Sequence, residues 1–452
     1  MDLSGIRSAT TGTVTAPGDD GWDLARQAWN LSAQQNPAVV VTAADADDVR
    51  AVVDFARENG LRVAPQGTGH GATTIGDLSR SILLKTNRMT GVEVDPEKRR
   101  ARVAAGALSE DVMVPAAEHG LAGLCGSSPD VGMVGYSLGG GIGWLGRKHG
   151  MQVNRVRAVE LVNADGELVR ADADNESDLF WALRGGGGGN FGVVTALEFE
   201  LVPVAQVYAG MLAWPWERSE EVLKRWAEWA VEAPEEITTS ARILQFPPLP
   251  DIPEPLRGRQ LVMVDGAYDG PESDGADAIA PLRELGPEMD MFATMPAAGL
   301  IRVHGDPEQP VPGLSDHRLL NEAPAEAIEK FVEVSGPGSG SPLLFTELRQ
   351  MGGAYARAPE DCGAMGSIDA QFLLFAIGLA MDPEMGAAAE AHTGKVCEAM
   401  DDWASSRCYL NFVEREGESS VGFSDEAYAR LREVKSQVDP DRLFQSNHDI
   451  AA

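Results

Sequence analysis

Positive charge is scarce in this 452-residue chain: 37 lysines and arginines stand against 69 aspartates and glutamates, a formal net charge of −32 at neutral pH. That field repels nucleic acid and anionic membrane surfaces, so neither is expected as a partner. The acids are spread along the chain and read as a solvated surface. Cysteine is equally sparse. Cys125, Cys362, Cys397 and Cys408 are scattered with no CxxC pair. This argues against a disulfide framework or a zinc site, so no metal is expected, and it fits a reducing cytoplasm. No run of eighteen apolar residues occurs, so nothing reads as a membrane span. Residues 1–15 lack the basic patch and apolar stretch of a secretory leader. No repeat of 20–50 residues is evident. What the chain does have is 44% apolar residues, enough for a globular interior, and a length that points to two domains.

The hydrophobic pattern supplies the elements. Residues 37–41, Pro-Ala-Val-Val-Val, read as a buried strand. Thr42 is expected to start a helix, with Asp45 three residues on as a capping-box variant. Val49, Val52, Val53 and Ala56 form its apolar stripe, and Gly60 ends it. Leu61 to Ala64 make the next strand. Further strands are expected at 82–84, 92–94 and 101–104, then a helix over 108–119. Asp165-Gly166 between 159–163 and 167–169 signals a hairpin. A short helix over 178–184 precedes five glycines, and 193–201 is a strand. From 206 to 404, strands at 261–264, 343–348 and 367–376 alternate with helices at 218–232, 324–335 and 386–404, around a Pro-rich surface loop at 247–255. That is an α+β pattern, an antiparallel sheet backed by helices. A last helix is expected over 424–437.

Two glycine-rich segments carry the chemistry. Residues 65–71 read Pro-Gln-Gly-Thr-Gly-His-Gly, and 131–143 read Val-Gly-Met-Val-Gly-Tyr-Ser-Leu-Gly-Gly-Gly-Ile-Gly. Clustered glycine costs backbone entropy and implies close approach of main chain to something. Successive N–H groups in such a loop suit a pyrophosphate. Gly141 to Gly146 also satisfies GxGxxG, but no hydrophobic strand precedes it, so a nicotinamide-binding Rossmann site is disfavoured. Gly185-Gly-Gly-Gly-Gly-Asn190-Phe-Gly192-Val-Val194 runs straight into an apolar strand and does not read as a linker.

These segments resemble the berberine-bridge-enzyme-like branch of FAD-linked oxidases, with its PCMH-type FAD-binding fold. The likeness covers 37–201 closely and 406–450 well; Gly352-Gly353-Ala354 is the best match between. It implies an FAD-binding domain over 1–205, a substrate domain over 206–404, and a segment 405–452 that returns to the first. It implies FAD bonded at its 8α carbon to His70. Around it would stand Gln66, Gly67, Thr68, Gly69, Gly71, Ser128, Gly132, Gly135, Tyr136, Gly139, Gly140, Gly141, Gly143, Asn154, Gly189, Asn190, Gly192, Val194 and Asn447. Many members carry a second flavin-linked cysteine where this chain has Ser128, so one tether only is expected, as in members similar to 6-hydroxy-D-nicotine oxidase. In the family a valine at the Val131 position leaves room for oxygen, whereas leucine blocks it.

The reaction implied is transfer of a hydride from an organic alcohol or amine to the flavin, with oxygen reduced to hydrogen peroxide. The resemblance leaves the substrate open. Alcohol oxidation needs a base for the hydroxyl proton. Members acting on sugars or alcohols often use a tyrosine from Tyr-x-Asn-Tyr, but this chain reads Tyr409-Leu410-Asn411-Phe412. Tyr409 and Asn411 remain catalytic candidates; Phe412 cannot take a proton. His304, His317, Tyr355 and Glu347 are further polar candidates. Either another residue supplies the base or the substrate is an amine; a dehydrogenase, a nicotinamide-dependent reductase and a flavin-loaded protein without turnover stay open as alternatives, as does the oligomeric state.

Overall fold

A computed structural model describes every residue except 251, 416 and 452. Three sheets organise the chain. The first runs Thr13–Thr15, Val39–Thr42, Ser81–Lys85, Arg62–Gln66; its outer pair is antiparallel and the rest parallel. The second is antiparallel and runs Val92–Asp95, Arg100–Ala104, Val193–Glu200, Val156–Val162, Leu168–Asp172. The third is eight-stranded and antiparallel, drawn entirely from residues 206–379. The α+β class is borne out.

The Val39–Thr42 run is β-branched throughout and its three valines are fully buried, as suits an interior parallel strand. Pairing with Lys85 draws Thr42 into that strand, which corrects the expected helix start. The helix is Ala46–Asn59, and Asp45 is its N-cap, accepting from the Asp48 N–H at 3.0 Å. Gly60 closes it in the left-handed region, φ +63°. Chain then enters Arg62–Gln66, whose end delivers the 67–71 loop.

In the eight-stranded sheet the order is Met289–Asp290, Gln206–Pro215, Gln260–Tyr268, Ile237–Gln245, Phe345–Gln350, Phe372–Leu379, Gly313–Leu320, with Ala293–Pro296 also on Gln206–Pro215. The strand expected from 367 begins only at Phe372, and the helix expected over 386–404 is Pro383–Ala399, started by Asp382 accepting from the Met385 N–H. Side chains alternate between the faces of a strand. One face sends Ala241, Ile243, Val262, Val264, Leu348 and Leu374 into a core with Trp226, Phe331 and Val396 of the covering helices. The other face carries Ser240, Arg242, Asp265, Glu347 and Arg349. Register sets Arg242 opposite Glu347, and Ser240 opposite both Asp265 and Arg349. A buried, charged face on a sheet is costly unless its members pair.

The tail closes the fold. After the helix Asp425–Val438, Phe444 bridges Val63 in parallel and packs with Val39, Val41, Ile82 and Leu84. Buried Lys435 donates to Asp439 at 2.7 Å and to the Asn190 carbonyl at 2.6 Å, tying tail to glycine run. Among the described residues no helix is long and apolar enough to cross a membrane.

Candidate active site

A cavity of about 420 Å³ lies between the glycine segments and the charged face of the large sheet. The 65–71 loop forms one wall, with Gln66, Gly67, Thr68, Gly69, His70 and Gly71 all lining it. Gly69 sits at φ +88°, and a Cβ there would meet the Gln66 amide at 2.2 Å, so only glycine turns this corner. Ser128, Val131, Gly132, Gly135, Tyr136 and Gly139 line the next wall; Gly189, Val194, Tyr409, Asn411, Phe412 and Asn447 complete it.

The remaining expected cofactor contacts lie behind this lining, each with a partner inside the protein. Gly140 and Gly141 are left-handed, φ +120° and +81°, and a Cβ on them would strike the rings of Tyr409 and Tyr136 at 3.0 and 2.7 Å. The Gly141 N–H donates to Tyr409 Oη at 2.8 Å. A Cβ on Gly143 would strike the Cys125 carbonyl. Asn154 donates to the Gly366 carbonyl at 2.8 Å. Asn190 donates to the Gly186 and His448 carbonyls and accepts from the Ile450 N–H. Gly192 packs on Leu161 and Val162. The element before GxGxxG is the helix Met133–Leu138, not a strand, which removes the Rossmann reading.

His70 is held on three sides. Trp29 stacks on it, with ring centroids 4.1 Å apart. Thr68 Oγ1 lies 2.7 Å from its Nδ1. Asp130, which accepts from Ser128 Oγ at 2.8 Å and from the Trp29 indole, faces its Nε2 at 3.8 Å. Burial drives the His70 pKa down to about 4 against the pull of Asp130 and Asp306, so the imidazole is neutral at physiological pH and one of its ring nitrogens carries a lone pair. The sequence reading missed Trp29 and Asp130; Asp130 stands one residue before the 131–143 segment, while Trp29 carries no motif.

The opposite wall is ionic. His304 Nδ1 lies 2.6 Å from Asp265, which Arg242 also grips at 3.1 Å. Glu347 accepts from Ser240 at 2.6 Å and from Arg349 at 2.7 Å. The Arg349 guanidinium stands over the Phe412 ring at 5.6 Å. His304, Asp306, Glu347 and Arg349 line the cavity; His317 does not, and instead accepts from the Tyr409 N–H at 3.0 Å. The tyrosines are tied to main chain: Tyr355 exchanges two hydrogen bonds with Gly143, and Tyr136 donates to the Leu124 carbonyl. Burial pushes Tyr355 up to about 12 and also raises Tyr409 and Tyr136.

The wall fits a flavin dinucleotide. Gly135 is exposed on its helix toward the cavity, and nothing lies within 4 Å of where its Cβ would stand. The buried Gln66 Oε1 has no hydrogen-bond partner among the described residues. Both are what a ring system and its polar edge require.

Residues 37–172 match the FAD binding domain family and 408–451 the berberine and berberine-like family. The chain is 27% identical to an uncharacterized FAD-linked oxidoreductase of Bacillus subtilis, YgaK, over 98% of each chain. It is 34% identical to (R)-6-hydroxynicotine oxidase of Paenarthrobacter nicotinovorans over 45% of this chain and 44% of that one. Its fold superposes on berberine-bridge-enzyme-like 1 of Physcomitrella patens with a TM-score of 0.86 at 18% identity, covering 100% and 99% of the two chains. Glycine-loop histidine, fitted cavity and matched segments agree, and the chain is an FAD-linked oxidoreductase with an FAD binding domain and a berberine-like C-terminal segment.

Proposed function

We propose that the protein is an oxidase carrying FAD on one covalent tether, through His70, and oxidising an organic alcohol or amine with oxygen as acceptor and hydrogen peroxide as product. In this reading residues 1–205 and 405–452 hold the flavin, 206–404 meet the substrate, and the enzyme works in the cytoplasm, where its four free cysteines stay reduced. When bound, FAD supplies the hydride acceptor and the route of electrons to oxygen.

The observation that carries the reading is His70: a neutral imidazole, oriented by Trp29 and Thr68, in a cavity wall that accepts a flavin. Its lone pair suits the bond to the 8α carbon. Ser128, hydrogen-bonded to Asp130, cannot form a thioether, and Cys125 is fully buried with its thiol pushed up to about 12, so it is inert. Val131 lines the cavity as the small residue that admits oxygen.

Acid precipitation of the purified protein tests the tether: a yellow pellet is expected, and a colourless one sinks it. Peroxide formation with an alcohol or amine panel tests the oxidase. Flavin that is reduced but ignores oxygen makes the protein a dehydrogenase. Phe412 in the cavity favours one other reading, a flavin-loaded binding protein; flavin that light reduces but no substrate does would establish it.

A further inference from the structure

The family's proton-accepting tyrosine is Phe412 here, and Tyr409, Tyr355 and Tyr136 are bound to main chain with their acidity suppressed. Another group on the cavity wall stands ready. His304 is 4% exposed, lines the cavity, and is held through Nδ1 by Asp265. Arg242 clamps both members, gripping the Asp265 carboxylate and donating to the His304 carbonyl at 3.0 Å. The other ring nitrogen, Nε2, is buried with no hydrogen-bond partner among the described residues. Glu347 and Asp306 stand near it at 3.6 and 3.9 Å, beyond hydrogen-bond reach. A buried imidazole nitrogen left unpaired in an otherwise satisfied ionic cluster costs stability. Such a group points to a missing ligand atom.

We propose that the substrate is an alcohol and that His304 Nε2 takes its hydroxyl proton, with Asp265 as the positioning residue. This rests on the oxidase reading above. In the step, the substrate O–H bond breaks and its proton passes to the His304 Nε2 lone pair. The electron pair left behind becomes the new C=O bond, while the C–H hydrogen leaves with its own pair to the family's oxidant, FAD. Asp265 keeps Nδ1 protonated, so the lone pair sits on the cavity side. The charged groups around the ring favour the imidazolium that results. Burial and Arg242 push its pKa down, but Asp265, Asp306 and Glu347 outweigh them and hold it at about 9. Arg349, from the same strand as Glu347, is paired with it at 2.7 Å and also feels Asp306 and Asp265. Glu414, the other titratable carboxyl facing the cavity, already accepts from the Ser315 N–H at 3.1 Å and stands by Asn30 on the far side. An amine needs no such acceptor, since it carries its own lone pair.

The test uses the holoenzyme. Without oxygen, bleaching of the flavin by the best member of an alcohol panel should quicken with pH and level off above about 9. His304→Gln should slow it roughly a hundredfold or more and flatten the pH profile, while dithionite still bleaches the flavin fully. Asp265→Asn should move the midpoint to lower pH, because one carboxylate holding the imidazolium is gone; a merely structural residue would lower flavin content without moving it. A turnover-free arm uses ¹⁹F resonances of 2,2,2-trifluoroethanol and 2,2,2-trifluoroethylamine. Wild type should broaden the alcohol signal, His304→Gln should not, and the amine should be indifferent to the substitution. Wild-type bleaching by His304→Gln, or equal broadening by both proteins, overturns the proposal and leaves the oxidase reading standing. If no alcohol or amine bleaches wild type, the oxidase reading falls and the trifluoroethanol arm decides alone.

Discussion

Trp29 lies flat on His70, their planes 17° apart, and the same indole N–H is hydrogen-bonded to Asp130, the carboxylate that faces His70 Nε2. One tryptophan thus fixes the ring's orientation and the acid beside it. A stacked aromatic pair contributes about 1 kcal/mol beyond its buried area, enough to set how much of the time the imidazole presents its lone pair. His70→Ala should give a pellet that loses all colour in acid. Trp29→Ala should still fold and bind flavin, but with only part of the colour surviving precipitation. Full colour in His70→Ala would refute the tether.

Ser128 stands where many relatives of this family carry a second flavin-linked cysteine, and its hydroxyl is 2.8 Å from Asp130. If the wall around it has kept the family's shape, restoring the thiol should restore the link. Ser128→Cys combined with His70→Ala should therefore produce an acid-stable yellow pellet, read by absorbance and by intact mass. A colourless pellet would mean that residue 128 is displaced from that position.

Val131 is only partly buried and faces the cavity. Adding one carbon there should obstruct oxygen without touching the substrate wall. For Val131→Leu the rate of flavin reoxidation is expected to fall on the order of tenfold or more, about 1.4 kcal/mol or more of barrier, with anaerobic reduction by substrate unchanged. Stopped-flow mixing with oxygen separates the two half-reactions.

Local signals located the glycine-lined wall of the cavity and only part of its ionic wall. His70 announced itself because a histidine between glycines at a strand end has no packing purpose. Gly60 and the Asp165-Gly166 hairpin were readable because each requires a specific backbone shape; the hairpin pairs Val162 with Leu168. Thr42 misled because strand pairing with Lys85, a contact 43 positions away, overrides the capping pattern. Gly140, Gly141 and Gly143 were read as cofactor contacts, yet the rings of Tyr136 and Tyr409 and the Cys125 carbonyl occupy the space beside them. Close backbone approach was legible; what approaches was not. The Asp265–His304 and Glu347–Arg349 pairs were invisible for another reason. His304 reaches Asp265 from a loop outside the strands, and Ser240 and Arg242 meet these groups through cross-strand register, which no local pattern encodes.

Arg147 shows how the glycine segment is bolted to the large sheet. It is 4% exposed and, among the described residues, has no carboxylate partner within salt-bridge reach; it donates instead to the carbonyls of Met351, Pro234, Ile237 and Ala233 at 2.5–3.2 Å. Arg147→Met keeps the stem but takes a donor from the buried Met351, Ile237 and Ala233 carbonyls, while the Pro234 carbonyl keeps the Ile237 N–H. Unmet buried acceptors cost about 1–3 kcal/mol each when nothing relaxes, so a loss of roughly 3 kcal/mol or more is expected. Thermal unfolding should show a clear drop in Tm, with the rise in flavin fluorescence on exposure to water coming at a lower temperature than in wild type.

Glu414 links stability to pH. It lines the cavity, accepts from the Ser315 N–H and from Asn30, and burial raises its pKa to about 7, against those hydrogen bonds. The unfolded chain titrates this group near 4.3. The folded state therefore holds the proton more tightly than the unfolded state does. Its contribution is fully present below about 4.3 and is lost as pH rises through about 7. Glu414→Gln is neutral at every pH and keeps an acceptor for Ser315. The Tm of the two proteins should coincide near pH 4 and diverge as pH rises toward 7, with the variant the more stable at pH 8. Because every other carboxylate is common to both, the difference isolates this one group. Parallel Tm curves across that range would show that Glu414 titrates as an ordinary surface acid.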